Sequence, residues 1–296
     1  MKLFAHLVLL IVALHHGSAV AQEVRRLAID GAEFSYLEAG QGPALVLVHG
    51  GLQDYRLWSD LLPRFAQGFR VIAYSRRNHF PNAVAEDGAP DGASDIHGAD
   101  LAGLVRALDL GRVHVVGHSS GANAALFFAT RNPDMVRSLA LHEPPAAGLL
   151  AGTPDGAAVV RAFGAGLAEA RDAFRARDLD RAVPLFVDGV GGPGAFQRRS
   201  EADRRMAMDN ALSHLADNIS TRPRAAFGCE DARRIQAPTL LTNSERSPAF
   251  FHRIGDALSA CLSRVERLTI GGASHTAPSE NPQAYGDAVL AFVRRH

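Results

Sequence analysis

The 296-residue chain is 47% hydrophobic and 21% charged, with 28 glycines and 15 prolines, a composition that suits one large α/β domain or two small ones. Its apolar content and lack of a short repeat exclude disordered, collagen-like and coiled-coil architectures. The 31 basic and 31 acidic residues cancel, so no net positive field draws in a phosphate backbone and nucleic-acid binding is not expected.

Lys2, the only lysine, precedes the apolar run Leu7 to Leu14 and the small residues Ala19-Val20-Ala21. A charged start, a short apolar core and small residues two apart predict a signal peptide over residues 1–21. The run is too short to span a bilayer, and no other segment approaches the roughly 20 apolar residues a spanning helix needs. The mature protein is therefore expected to be exported, periplasmic or secreted, without a membrane span. Cys229 and Cys261 permit one disulfide closing a loop of roughly 30 residues, with two buried thiols as the other reading.

After the leader, Leu27–Ile29 and Phe34–Leu37 read as an antiparallel pair. Ala44–Val48, Arg70–Tyr74, Val113–Val116, Ser138–Leu141, Thr239–Thr242 and Arg267–Ile270 are short continuous apolar runs, the mark of strands buried on both faces of a parallel sheet. Helical periodicity fills Tyr55–Phe65, His97–Leu108, Ala122–Asn132, Pro248–Leu262 and Pro282–Arg294 between or after them. Strand–helix alternation predicts a mostly parallel sheet with helices on both faces. It stops between Pro144 and Pro223, where amphipathic helices are expected at Ala157–Arg175, Asp178–Val190 and Glu201–Ile219, broken at Gly191-Gly192-Pro193-Gly194. Residues 22–143 and 224–296 thus form the expected core and 144–223 an inserted helical lid. Glu86–Asp95 reads as a solvated loop.

Gly117-His118-Ser119-Ser120-Gly121 lies between a strand and a helix. There the two glycines permit the tight turn that exposes a serine hydroxyl, and the helix start aims N–H groups at developing negative charge. His49-Gly50-Gly51 ends an earlier strand, and the N–H groups of Gly51 and Ser120 are the expected oxyanion-hole donors. Gly271-Gly272-Ala273-Ser274-His275 follows the last strand, so His275 falls on the same rim as Ser119 and is the expected base.

Through these pieces, the helical insertion and Asn281-Pro282, the chain resembles the α/β-hydrolase superfamily from about residue 27 onward. The resemblance implies that fold, a Ser-acid-His order and no metal or organic cofactor. The usual acid position, just before Pro248, is Ser247, which cannot hold an imidazolium by charge. Glu143, after the strand Ser138–Leu141, is the preferred replacement and Glu245 its rival. Haloalkane dehalogenases and zearalenone-type lactone hydrolases carry the acid after that earlier strand, and the second group is similar at Ser119-Ser120-Gly121-Ala122 and His142-Glu143. The loop Ser75-Arg76-Arg77-Asn78-His79-Phe80 departs from the superfamily's Asp-x-Arg-Gly-His-Gly pattern. Arg77 is expected to anchor it, with a pocket-lining role for His79 or Phe80 as the lesser reading.

These parts predict a serine hydrolase acting on a small, fairly apolar ester or lactone through Ser119, His275 and Glu143. Carbon–carbon bond hydrolysis on the same triad and a small-molecule receptor with little turnover are the alternatives. Of the insertion's apolar residues Phe163, Leu167, Leu185, Phe186, Met206 and Met208, half are expected to line the pocket and half to pack the insertion onto the core.

Overall fold

The computed structural model describes residues 23–83, 93–219 and 225–296. The leader over residues 1–21, most of the loop expected from Glu86, and the expected boundary between lid and core at 223 and 224 lie outside the described residues.

The strands are β1 (Arg25–Ile29), β2 (Ala32–Ala39), β3 (Ala44–Val48), β4 (Arg70–Tyr74), β5 (Val113–His118), β6 (Val136–His142), β7 (Thr239–Ser244) and β8 (Val265–Ile270). They form one sheet in the order β1-β2-β4-β3-β5-β6-β7-β8. β2 pairs antiparallel with β1 and β4, and every later pairing is parallel. The helices are α1 (Leu62–Phe65), α2 (Ser94–Ala107), α3 (Ser120–Arg131), α4 (Gly156–Gly166), α5 (Ala168–Arg175), α6 (Leu179–Gly191), α7 (Ala195–Arg198), α8 (Glu201–Asp209), α9 (Ala211–Ile219), α10 (Cys229–Arg233), α11 (Ala249–Cys261), α12 (Ala277–Glu280) and α13 (Pro282–Val293).

All five residues of β3 are buried, and their alternation feeds two separate cores. Val46 and Val48 pack with Leu101, Leu104 and Phe128 of α2 and α3. Leu45 and Leu47 pack with Phe65 of α1 and Val289 and Phe292 of α13. This two-sided burial explains why the strand reads as an unbroken apolar run. Each such side chain contributes roughly 1.5–3 kcal/mol by leaving water.

Helices α4–α10 lie between β6 and β7, where the sheet alternation stops, α4–α9 of them before residue 220. Three expected helices are each divided. Ala157–Arg175 breaks at Leu167, after the helix-weakening glycines Gly164 and Gly166. Glu201–Ile219 breaks at Asn210, whose amide reaches Asp54 Oδ2 at 2.7 Å and the Met206 carbonyl at 2.8 Å. Tyr55–Phe65 becomes a single 3₁₀ turn over Tyr55–Trp58 followed by α1, with Pro63 in the first turn, where its missing N–H costs nothing. Helix α2 also starts earlier than expected, so Ser94 and buried Asp95 belong to it rather than to a solvated loop. Cys229 and Cys261 form a disulfide joining the start of α10 to the end of α11. Among the described residues no helix is long and apolar enough to cross a membrane.

Candidate active site

The serine stands where β5 turns into α3. Ser119 has φ 53° and ψ −124°, a strained backbone for a non-glycine residue that the surroundings must enforce. The two glycines of the motif are required by close approach. A Cβ on Gly121 would lie 2.3 Å from the His49 carbonyl oxygen, and one on Gly117 would lie 2.7 Å from Ala122 Cα. The Ser119 N–H donates to the His142 carbonyl at 2.8 Å, tying the turn to β6.

His275 follows β8 and Glu143 follows β6, and the structure brings both to Ser119. His275 Nδ1–H donates to Glu143 Oε2 at 2.6 Å, which leaves Nε2 to accept from the Ser119 hydroxyl at 2.9 Å. Phe251 of α11 stacks on the imidazole with ring centroids 4.1 Å apart. Glu143 also has a positive φ, 48°. Its Oε1 accepts from the Ser244 N–H at 2.8 Å and its Oε2 from Ser247 Oγ at 2.9 Å. Burial would raise the pKa of this carboxyl, but His142 and the hydrogen bonds from His275 and Ser244 outweigh it, and the group is lowered to about 2. Glu245, by contrast, is exposed, and its Oε2 caps the glycine turn at the Gly272 N–H, 2.8 Å away. Among the described residues no hydrogen bond or ion pair joins it to His275.

Gly51 and Ser120 line the same cavity as Ser119. The peptide joining Gly50 to Gly51 is trans, so whatever fixes the Gly50 carbonyl also fixes the Gly51 N–H on the opposite side. Two donors hold that carbonyl, Arg76 Nη2 at 2.9 Å and His49 Nδ1 at 2.8 Å. Arg76 Nη2 also donates to Ser120 Oγ at 3.1 Å, and its Nε donates to the His49 carbonyl at 3.1 Å. One buried guanidinium thus holds both donor residues from behind. His49 closes the arrangement by accepting the Arg76 N–H at Nε2, 2.9 Å away. Burial, followed by the charge of Arg76, lowers the His49 pKa well below the usual histidine range.

Arg77 forms a two-pronged ion pair with Asp100 at 2.6 and 3.0 Å, the anchoring role expected of it. Neither His79 nor Phe80 lines the cavity. His79 is buried between Arg76 Nη2 (3.1 Å) and the Gly51 carbonyl (3.0 Å), and exposed Phe80 lies under the Arg56 guanidinium. Arg76 and His118 were not singled out by the sequence reasoning. His118, the residue before the serine, is buried with its ring between Gln53 Oε1 and the His275 carbonyl, each 2.8 Å away. The signal for Arg76 was its place after a buried strand, since consecutive residues there face opposite ways.

The cavity in front of Ser119 measures about 440 Å³, and the described residues lining it include no charged side chain. Phe163, Leu167 and Phe186 line it from the insertion. Of the other three residues considered, Met206 packs in the α1–α13 core, Met208 packs against the insertion's own core, and Leu185 is half-buried away from the cavity. Among the described residues no group of three or more His, Cys, Asp or Glu side chains is placed to hold a metal ion.

The sheet order, the strand–turn–helix serine and the late histidine place this chain in a known class. It belongs to the alpha/beta hydrolase fold family, which it matches over residues 43–282. It is 25% identical over 280 residues to a 2-hydroxy-6-oxononadienedioate/2-hydroxy-6-oxononatrienedioate hydrolase of Paraburkholderia xenovorans, covering 89% of this chain and 92% of that one. It is 34% identical over 115 residues to a 2-(acetamidomethylene)succinate hydrolase of Mesorhizobium japonicum, a match spanning 39% of this chain and 40% of the relative. The solved structure of an N-acyl homoserine lactone degrading enzyme superposes with a TM-score of 0.72 at 21% identity, covering 90% of this chain and all of that one.

Proposed function

We propose that the protein is a serine hydrolase cleaving a carboxylic ester or lactone of a small, fairly apolar substrate. The observation that carries this reading is the continuous relay from Ser119 Oγ through His275 to Glu143, at 2.9 and 2.6 Å, at the edge of a cavity whose described lining carries no charged side chain.

In this mechanism Ser119 Oγ attacks the carbonyl carbon as its proton passes to His275 Nε2. Glu143 stabilises the resulting imidazolium and holds the ring in the tautomer whose Nε2 can accept. The tetrahedral oxyanion lies between the N–H groups of Gly51 and Ser120, each worth about 3 kcal/mol to the transition state. His275 returns the proton to the leaving alcohol oxygen. Water then gives His275 a proton and attacks the acyl-enzyme, and Ser119 leaves with the proton restored. The insertion serves as the lid roofing the acyl side of the cavity.

Carbon–carbon bond hydrolysis is the second reading, favoured by the relative from Paraburkholderia xenovorans, which is similar along most of its length. We also propose that the protein is exported, a reading supported by the Cys229–Cys261 disulfide, since such bonds persist in oxidising compartments. Fractionating cells that express the full chain tests export, and mature protein confined to the cytoplasm overturns it.

The activity is tested by following a panel of aryl esters and lactones with the purified protein and with Ser119→Ala. Sustained turnover that the substitution abolishes supports the ester or lactone reading. Ester and lactone turnover absent from a folded protein that cleaves a vinylogous diketone moves the assignment to carbon–carbon hydrolysis.

A further inference from the structure

Helix α11 begins at Ala249, directly after Ser247 and Pro248, and its first turn carries Phe250 and Phe251, both buried. The chain leaving β7 therefore meets the relay twice. Ser247 Oγ donates to Glu143 Oε2, and four residues on the Phe251 ring stacks on His275. The two ring planes differ by only 15° with centroids 4.1 Å apart, so the phenyl turns its face, not its edge, to the imidazole. The backbone at Phe251 is pinned as well. Its N–H donates to the Pro248 carbonyl at 3.0 Å, and its carbonyl accepts from Asn243 Nδ2 at 3.2 Å.

Three interlocked phenyl rings keep that face in place. Phe250 meets Phe251 at 74° with centroids 5.2 Å apart, and Phe163 of α4 meets it at 75° and 5.5 Å. Phe163 and Phe250 are themselves stacked at 4.0 Å. Such near-perpendicular pairs are favourable arrangements of two ring quadrupoles, and turning Phe251 would break both at once. Phe163 belongs to the insertion, so the insertion helps to aim a ring at the imidazole.

The face of a phenyl ring is its negative side, which attracts a cation and does little for a neutral partner. The rings of His118 and His142 also approach His275, at 5.0 and 6.5 Å, but are tilted by 46° and 32°. Both are neutral near pH 7, since burial lowers their pKa values. Among the described residues Glu143 is the only charged group bonded to the imidazole. We infer that Phe251 is a second stabiliser of the His275 imidazolium, its ring face drawing the positive charge that forms as Ser119 gives up its proton. An interaction that strengthens only when this charge appears favours the transition state over bound substrate, and so raises kcat while leaving KM nearly unchanged. Phe251 acts through His275 and is a positioning residue. The inference rests on the Ser119–His275–Glu143 relay proposed above.

The test replaces Phe251 with phenylalanines carrying one, two or three ring fluorines, which keep the shape of the ring and drain its face of negative charge. With p-nitrophenyl hexanoate, kcat is expected to fall with each fluorine, to about tenfold below wild type with three, at nearly constant KM. Phe251→Leu, its fold verified by a melting curve, should fall at least as far. Packing alone predicts no trend, so an unchanged kcat across the fluorinated series overturns the inference. A change confined to KM also overturns it and assigns Phe251 to substrate contact. Labelling with an alkyl fluorophosphonate gives a readout that needs no ester turnover: Ser119 Oγ bonds to phosphorus, fluoride leaves, and His275 takes the serine proton. Labelling rates that fall with fluorination, in a protein that turns over no ester or lactone, retain the inference and remove the ester reading. Rates indifferent to fluorination overturn the inference. Wild-type protein that is not labelled at all removes the relay and the inference with it.

Discussion

Ser247 Oγ donates a 2.9 Å hydrogen bond to Glu143 Oε2, the same oxygen that holds His275 Nδ1 at 2.6 Å. The residue standing in the usual acid position therefore hydrogen-bonds the proposed acid, which the neighbouring strand carries. β6 and β7 are adjacent and parallel, with His142 opposite Thr242, so the ends of both strands face the same imidazole. Moving the acid between them needs only one carboxylate and one donor exchanged across the pair.

Glu143→Gln is expected to lower kcat by about three to four orders of magnitude, because the amide can present its N–H and favour the wrong imidazole tautomer. Glu245→Gln removes only the charge of the cap on Gly272 and should change kcat less than about twofold, within the range of a surface substitution. Steady-state kinetics on both variants, with melting curves to verify folding, distinguish the assignments. Full activity in Glu143→Gln would falsify the role given to it.

The exchange across the strand pair predicts a rescue. Ser247→Asp alone puts a second carboxylate against Glu143 and should reduce kcat/KM about tenfold or more through like-charge repulsion. Combined with Glu143→Gln, the same aspartate should recover at least about tenfold over the single Glu143→Gln variant. A double-mutant cycle of kcat/KM measures this coupling directly. Additive losses would mean that the two strand ends cannot exchange the role.

Arg76 makes its prediction through Gly51 and Ser120, the proposed oxyanion-hole residues. Arg76→Met removes one of the two donors on the Gly50 carbonyl and the donor on Ser120 Oγ, and should lower kcat by about 10²-fold, the scale of one lost oxyanion donor, with little change in KM. Arg76→Lys keeps the charge but cannot span the same acceptors and should fall between. A rise in KM at constant kcat would assign Arg76 to ground-state binding instead.

Much of this organisation was legible because strands buried on both faces leave continuous apolar runs, as β3 does. The serine motif was legible because its glycines answer steric demands of the backbone. Glu143 was less so, since its choice over Glu245 leaned on resemblance, and only the positive φ at the end of β6 shows how the chain aims it. The place of Arg76 after a buried strand was legible but its role was not, because that role depends on its contact to Gly50, distant in sequence. The helix breaks at Leu167 and Asn210 were hidden by amphipathic periodicity that persists across them.

The buried histidines predict acid lability. Burial first, with His275 contributing, lowers the His142 pKa to about 4, while Glu143 pulls the other way. His118 is likewise lowered well below the usual range by burial. For a base whose folded pKa is depressed, the unfolded chain binds the proton more readily. The stability is fully present above the ordinary histidine value of 6.5, is lost progressively as pH falls toward about 4, and levels off below that. Urea unfolding at pH 7, 6, 5 and 4.5 should show stability falling with pH, and His142→Gln should flatten the slope by roughly 1 kcal/mol per pH unit. An unchanged slope in that variant would mean that His142 is already charged in the folded protein.

The disulfide gives a prediction separable from the chemistry. It closes 32 residues of sequence between the start of α10 and the end of α11. In the loop-entropy account a cross-link of that span stabilises by about 3–4 kcal/mol through the unfolded chain. Neither cysteine lines the cavity at Ser119, although Phe250 and Phe251 of α11 bring that helix to the His275 ring. Cys229→Ser/Cys261→Ser should therefore lose about that much stability in urea unfolding while its kcat at 25 °C changes less than about twofold. A large loss of kcat in the still-folded variant would show that the cross-link positions Phe251 against the imidazole, and so acts on the site as well as on the fold.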